Sequence, residues 1–107
     1  MIRVRFLIGN NRLTGFEISG HAFFAENGRD VVCAAVSSAA LMAANTVTDV
    51  ICANAEAKAD DGKMSLVLRE SNERCDAVLK GLELHLTELS KQYPQNIKVI
   101  YGGVKNA

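Results

Sequence analysis

Gly20-His21-Ala22-Phe23-Phe24-Ala25-Glu26-Asn27-Gly28-Arg29-Asp30-Val31-Val32-Cys33-Ala34-Ala35-Val36-Ser37 is the stretch on which the rest of the chain is organised. It reads as the end of a strand, a loop with a glycine near each end, and a helix that starts at Asp30. Aspartate is a favoured N-cap, which puts Val31 and Val32 at the first two helical positions and Cys33 at the third. Gly20 and Gly28 are the loop hinges, because glycine lets a backbone turn sharply where other residues resist.

Upstream, Ile2, Val4, Phe6 and Ile8 alternate with Arg3, Arg5 and Leu7, the two-residue period of a strand with one buried face. Gly9-Asn10-Asn11 supplies residues that tolerate positive φ, so a second strand, Leu13 to Ser19, returns antiparallel to the first. Downstream, Val31 to about Ile51 is small or apolar nearly all round. Alanine is the best helix former, and a helix apolar on most faces is normally covered on more than one side, here by the other helix, a second subunit or both. It is expected to stop around Cys52-Ala53-Asn54, with Asn54 suited to a left-handed end.

Ala55, Ala57 and Ala59 then alternate with Glu56, Lys58 and Asp60. Asp61-Gly62 makes a tight turn, and Met64, Leu66 and Leu68 alternate on the return. Ser71 or Asn72 caps a second helix whose stripe Cys75, Val78, Leu79, Leu82, Leu86 and Leu89 faces a core. Gly81 within it points to close approach of a neighbouring backbone. Tyr93-Pro94 ends that helix, and Ile97, Val99 and Tyr101 form a last strand before a loose Gly102-Gly103 tail. The expected fold is α+β in two layers: a largely antiparallel five-stranded sheet with two helices on one face, in the order ββαββαβ. At 107 residues with 49% apolar content, residues 1–107 read as a single domain.

Twelve basic residues cancel twelve acidic ones and no run of like charge occurs, so direct nucleic-acid binding is not expected. The N-terminal residues alternate and form no apolar block, and no apolar run reads as long enough to span a membrane, so the cytoplasm is the expected location. Three cysteines, Cys33, Cys52 and Cys75, lack C-x-x-C spacing, which argues against a disulfide framework, a zinc site and a resolving-cysteine redox pair. No cofactor and no metal are expected.

Cys33 is the candidate nucleophile. An ordinary thiol is only about 3% thiolate at neutral pH, and a helix terminus contributes roughly 0.3–1 kcal/mol, less than one pKa unit. A neighbouring imidazole supplies the larger share of activation in Cys-His pairs. His21 is nearest in sequence, and the eleven intervening residues could span roughly 35–40 Å, so contact is permitted and not forced. Asp30 has two available tasks, capping the helix through the Cys33 amide or orienting His21. Ser37 lies one turn after Cys33 on the same face, and amides at the helix start, that of Cys33 included, would suit an oxyanion. Phe23 and Phe24 are core pieces, a mobile lid or a wall that touches substrate. Cys75 falls on an apolar stripe and reads as core. Cys52 reads as inert at a buried helix end, and His85 as a solvated edge residue.

Gly20-His21-Ala22 followed by Gly28-x-Asp30-x-Val32-Cys33-Ala34-Ala35-Val36-Ser37 resembles the ribosomal-processing cysteine protease family called Prp. The resemblance implies a small cytoplasmic homodimeric endopeptidase that removes the N-terminal extension of a large-subunit ribosomal protein, with Cys33 as nucleophile and His21 as general base. Asp30 and Ser37 fall on the family's accompanying Asp and Ser positions. The departure is Phe23-Phe24-Ala25, which stands where small or polar residues are expected and is similar to the residues before the cut in the family's substrates. The competing reading is a non-catalytic, dimeric, ribosome-associated binding module whose thiol is incidental.

Overall fold

The computed structural model describes residues 1–20, 30–70 and 72–103. The expected order is present: β1 (Ile2–Gly9), β2 (Arg12–Ser19), α1 (Val31–Asn45), a π-helical turn (Thr46–Val50), β3 (Ala55–Asp60), β4 (Lys63–Leu68), α2 (Glu73–Gln92) and β5 (Ile97–Gly103). The strands form one sheet in the order β3-β4-β2-β1-β5, antiparallel except for the parallel β1–β5 pair.

Each turn has a local cause. Asn10 (φ 52°) and Asn11 (φ 62°) both take left-handed conformations, the geometry that lets a two-residue hairpin follow the twist of its strands. Gly62 (φ 74°) does the corresponding work between β3 and β4. In β2, Thr14 is the extra residue of a bulge, because the register passes from Leu7↔Gly15 to Ile8↔Leu13. Its hydroxyl donates to the Leu7 carbonyl at 3.3 Å, and the Leu13 amide donates to Asp76 Oδ1 at 3.0 Å, tying α2 to the bulge.

The inward faces meet in a single core. Ile2, Val4, Phe6, Phe16 and Ile18 from β1 and β2, and Leu66 and Leu68 from β4, pack against Val32, Val36, Ala40 and Ala43 of α1 and Cys75, Leu79, Leu82 and Leu86 of α2. Asn72 caps α2 as expected, its Oδ1 accepting from the amides of Arg74 and Cys75.

Four local expectations are corrected. The first helix leaves α geometry after Asn45 and closes with a π turn, marked by the Ile51 amide bonding to the Thr46 carbonyl at 2.8 Å. The left-handed residue after it is Cys52 (φ 58°), not Asn54. The Asn54 carbonyl accepts from the Arg69 amide at 2.9 Å, one step before the first β3–β4 pair, Ala55↔Leu68, and the reversal falls earlier. Gly102 and Gly103 are not a loose tail. They pair with Leu7 and Ile8, and a Cβ on Gly102 would strike the Arg5 guanidinium.

The fourth correction concerns Gly81, where a Cβ would meet nothing within 4 Å among the described residues, so no described neighbour demands glycine. Gly81→Ala is therefore expected to stabilise the protein by about 1 kcal/mol, through helix propensity and reduced freedom of the unfolded chain. A shift of the urea midpoint checks this, and an unchanged or lowered midpoint contradicts it.

By length and composition, the 20-residue stretch Val31–Val50, with a mean hydropathy of 1.6 over its most apolar 18 residues, does meet the requirements of a membrane span, contrary to expectation. The cause is the alanine-rich run that lets α1 pack closely. Val32, Val36, Ala40, Ala43, Ala44 and Val47 are buried against the sheet and α2, so one face of this helix belongs to the core.

Candidate active site

The head of α1 is built as the sequence implies. Asp30 sits at φ −80°, ψ 98°, outside helical geometry, and its Oδ1 accepts from the amides of Val32 and Cys33, each at 3.0 Å. Those two bonds fix the first turn and hold Cys33 at its third position, half-buried. They also revise the expected oxyanion site. The Cys33 amide is engaged by the cap, and the Ala34 amide donates to the Asp30 carbonyl at 3.2 Å, so neither is open to a substrate oxygen in this arrangement.

Cys33, Val36 and Ser37 line a cavity of about 260 Å³. Ile2, Ile18 and Met64 supply apolar lining from the sheet, and Gly20 and the β3–β4 tip from Ala59 to Lys63 complete it. The cavity thus joins three of the residues singled out by sequence: Cys33, Ser37 and Gly20. His21, Phe23, Phe24 and Gly28 lie outside the described residues. The chain leaves the described part at Gly20, on the cavity lining, and re-enters it at Asp30, at the head of α1.

Gly20 has a strict reason to be glycine. Its φ is +90°, and a Cβ there would collide with the Met1 carbonyl oxygen. Its amide donates to the Gly62 carbonyl at 3.0 Å, which ties the end of β2 to the β3–β4 turn. That turn is the part of the site that sequence reading missed. Asp61-Gly62 is legible as a hairpin, but only the β2–β4 register, which pairs Ser19 with Lys63, brings its tip beside Gly20.

The other thiols separate cleanly. Cys75 is fully buried in the core, and burial pushes its pKa above the ordinary thiol value. Cys52 is exposed, which corrects the expectation of a buried helix end, because the π turn carries it out to the surface. His85 is exposed on α2.

The raised Cys75 pKa has a consequence for stability. The unfolded chain loses this proton from about pH 8.5, while the folded protein keeps it to higher pH, so the folded state binds more protons in that window. Stability is expected to fall as pH rises from about 8.5 toward the folded pKa, and Cys75→Ala is expected to flatten that decline. Urea midpoints at neutral and alkaline pH test this; an equal decline in both proteins contradicts it.

A thiol held at the head of a core helix, opening on a cavity between that helix and a sheet, is the arrangement of a cysteine-dependent hydrolase. Residues 1–98 match the family described as cysteine protease Prp, and the chain belongs to that family of cysteine proteases. It is 28% identical over 96 residues to the ribosomal processing cysteine protease Prp of Bacillus subtilis, a match spanning 81% of this chain and 84% of that one.

Among solved structures, the ribosomal processing protease Prp of S. aureus, in complex with a covalently linked product peptide, superposes with a TM-score of 0.88 at 24% identity, covering 95% of this chain and all of that one. A Streptococcus mutans protein, SMU.848, superposes with a TM-score of 0.81 at 24% identity, covering 97% of this chain and 96% of its own. The two-layer α+β fold is shared with both.

Proposed function

We propose that this chain is a cysteine endopeptidase that removes the N-terminal extension of a large-subunit ribosomal protein. The observation that carries the reading is the position of Cys33, fixed by the Asp30 cap on the lining of a cavity that also includes Gly20, the residue before His21. Membership of the Prp family and the ribosomal-processing relative in B. subtilis support the substrate class.

In the proposed mechanism His21 takes the thiol proton, and the Cys33 thiolate attacks the scissile carbonyl carbon to give a tetrahedral oxyanion. Collapse expels the amine, which receives the proton from the His21 imidazolium, and leaves an acyl-thioester on Cys33. Water, deprotonated by His21, then releases the carboxylate product and restores the thiol. The helix dipole favours the thiolate by less than one pKa unit, so His21 carries most of the activation. Asp30 holds the first turn of α1, and Ser37 shares the cavity with the thiol. Gly20 and Gly28 are the proposed loop hinges, and Phe23 and Phe24 the proposed substrate contacts. No cofactor or metal is required by these steps.

The same reading places the enzyme in the cytoplasm, where ribosomal proteins are made, and makes it a homodimer without direct nucleic-acid contact. The dimer is supported by α1 and its π turn, which expose Val31 (59%), Met42 (64%) and Val50 (76%), apolar side chains that the chain's own core leaves uncovered. Balanced net charge supports the absence of nucleic-acid contact.

The test is mass spectrometry of large-subunit ribosomal proteins from cells whose only copy of this protein carries Cys33→Ala or His21→Ala. One such protein is expected to keep an N-terminal extension in both. Normal processing in either strain overturns the assignment. Iodoacetamide separates the enzyme from a binding module: fast, selective alkylation of Cys33 relative to exposed Cys52 supports the enzyme, and equal slow reaction supports the module.

A further inference from the structure

We infer that the open edge of β3 is where the substrate peptide docks, adding as a sixth strand on its way into the Cys33 cavity. The inference rests on the peptidase reading above and specifies the form in which substrate is recognised, an extended main chain.

The sheet has two edges, β3 and β5. Only β3 meets the cavity, through Ala59 and Asp60, whereas no residue of β5 is among its described lining residues. The hydrogen-bond phase of β3 follows from its first pair. Arg69 donates to the Asn54 carbonyl, and in an antiparallel ladder bonded pairs alternate with unbonded ones. With the register Glu56↔Val67, Lys58↔Ser65 and Asp60↔Lys63, those three residues turn their backbone groups toward β4. Ala55, Ala57 and Ala59 therefore turn their amides and carbonyls toward the open side.

The guards on β3 are confined to its short length and to the charged residues Glu56, Lys58 and Asp60, which share one face of the strand. Proteins usually blunt an exposed edge with proline, a bulge or inward-pointing charge, and β3 has an unbroken register and no proline. At the three outward-bonding positions the side chains are methyl groups, on the sheet face that carries Met64, Leu66 and Leu68. The charges lie on the opposite face, where Glu56 holds Lys58 at 3.1 Å and Arg69 at 2.8 Å. Ala57 and Ala59 are exposed, and their own methyl groups are the smallest side chains an approaching peptide backbone could meet. Strand addition of this kind takes its affinity from main-chain bonds, so it requires substrate that is unfolded at the cut site. The Gly20–Gly62 hydrogen bond fixes the hairpin tip against β2, which delivers a strand bound along β3 to the cavity.

The experiment uses Cys33→Ala protein and a synthetic peptide spanning the processed N terminus of the ribosomal protein precursor, with amide exchange followed by NMR. Saturating peptide is expected to slow exchange at Ala57 and Ala59 at least about tenfold and to leave the β5 amides unchanged. In the active enzyme, Ala57→Pro removes one outward amide without touching the β4 ladder. It is expected to raise KM at least tenfold with kcat within about twofold, and Ala57→Val, which keeps the amide, is expected to restore KM. Saturable peptide binding with unchanged exchange at Ala57 and Ala59 overturns the inference while leaving the peptidase reading intact. Slow exchange at those amides that depends on protein concentration, without peptide, assigns the edge to a second copy and also overturns it. Absence of any peptide binding removes the peptidase reading and the inference with it.

Discussion

Cys33→Ala is expected to reduce cleavage of the precursor peptide by at least about four orders of magnitude, the scale on which loss of a nucleophile acts, while shifting Tm by no more than a few degrees. The asymmetry follows from where the residue sits. Cys33 is half-buried at the cavity, and the cap that fixes its turn uses its backbone amide, which alanine retains. Cys52→Ala, at an exposed position, and Cys75→Ala, in the core and away from the cavity lining, are expected to retain kcat when assayed well below their Tm. Steady-state kinetics on the three variants, with Tm measured in parallel, checks the set. Retained activity in Cys33→Ala would remove the nucleophile assignment.

Gly20→Ala is expected to be the most damaging methyl group that can be added at the site. A non-glycine residue held at positive φ costs about 1–3 kcal/mol, and the clash with the Met1 carbonyl adds to it. A loss of at least about 2 kcal/mol, or roughly 10 °C in Tm, follows for a domain of this size. Activity should fall further than stability, because relieving the clash must shift either the N-terminal residue or the Gly20–Gly62 bond, and with it the point from which the chain leads into His21. Calorimetry together with kcat at a temperature where the variant is fully folded separates the two effects. Wild-type Tm contradicts the strain argument, and wild-type kcat contradicts the positioning argument.

Most of the fold was legible because its signals are local. Alternation in Ile2–Ile8, paired asparagines at 10 and 11, the Asp61-Gly62 turn, and Asp30 and Asn72 as caps each act within a few residues and agree with one another. The errors arose where distant pairing decides local form. Asn54 has the intrinsic preference for a left-handed end, but its carbonyl is taken by the amide of Arg69, just past β4, and the left-handed residue is Cys52. Gly102-Gly103 has the composition of a frayed tail, yet β1 offers a free edge and the glycines pair along it over Arg5.

The site divides in the same way. Cys33, Asp30, Gly20 and Ser37 were visible in sequence because they belong to two contiguous segments. The β3–β4 tip was not, because it joins them only through the Ser19↔Lys63 register. For the Cys33 amide the oxyanion expectation is revised by donor supply: the same amide cannot serve both a carboxylate cap and a substrate oxygen.

A peptide chloromethyl ketone ending at the residue before the cut puts the central claim to its most direct test, because it alkylates whichever nucleophile attacks at the scissile position. With the wild-type protein, mass spectrometry is expected to find one peptidyl group per chain, on the Sγ of Cys33, appearing in step with loss of activity. A peptidyl group on Cys52 or Cys75, or activity lost with Cys33 unlabelled, would contradict it.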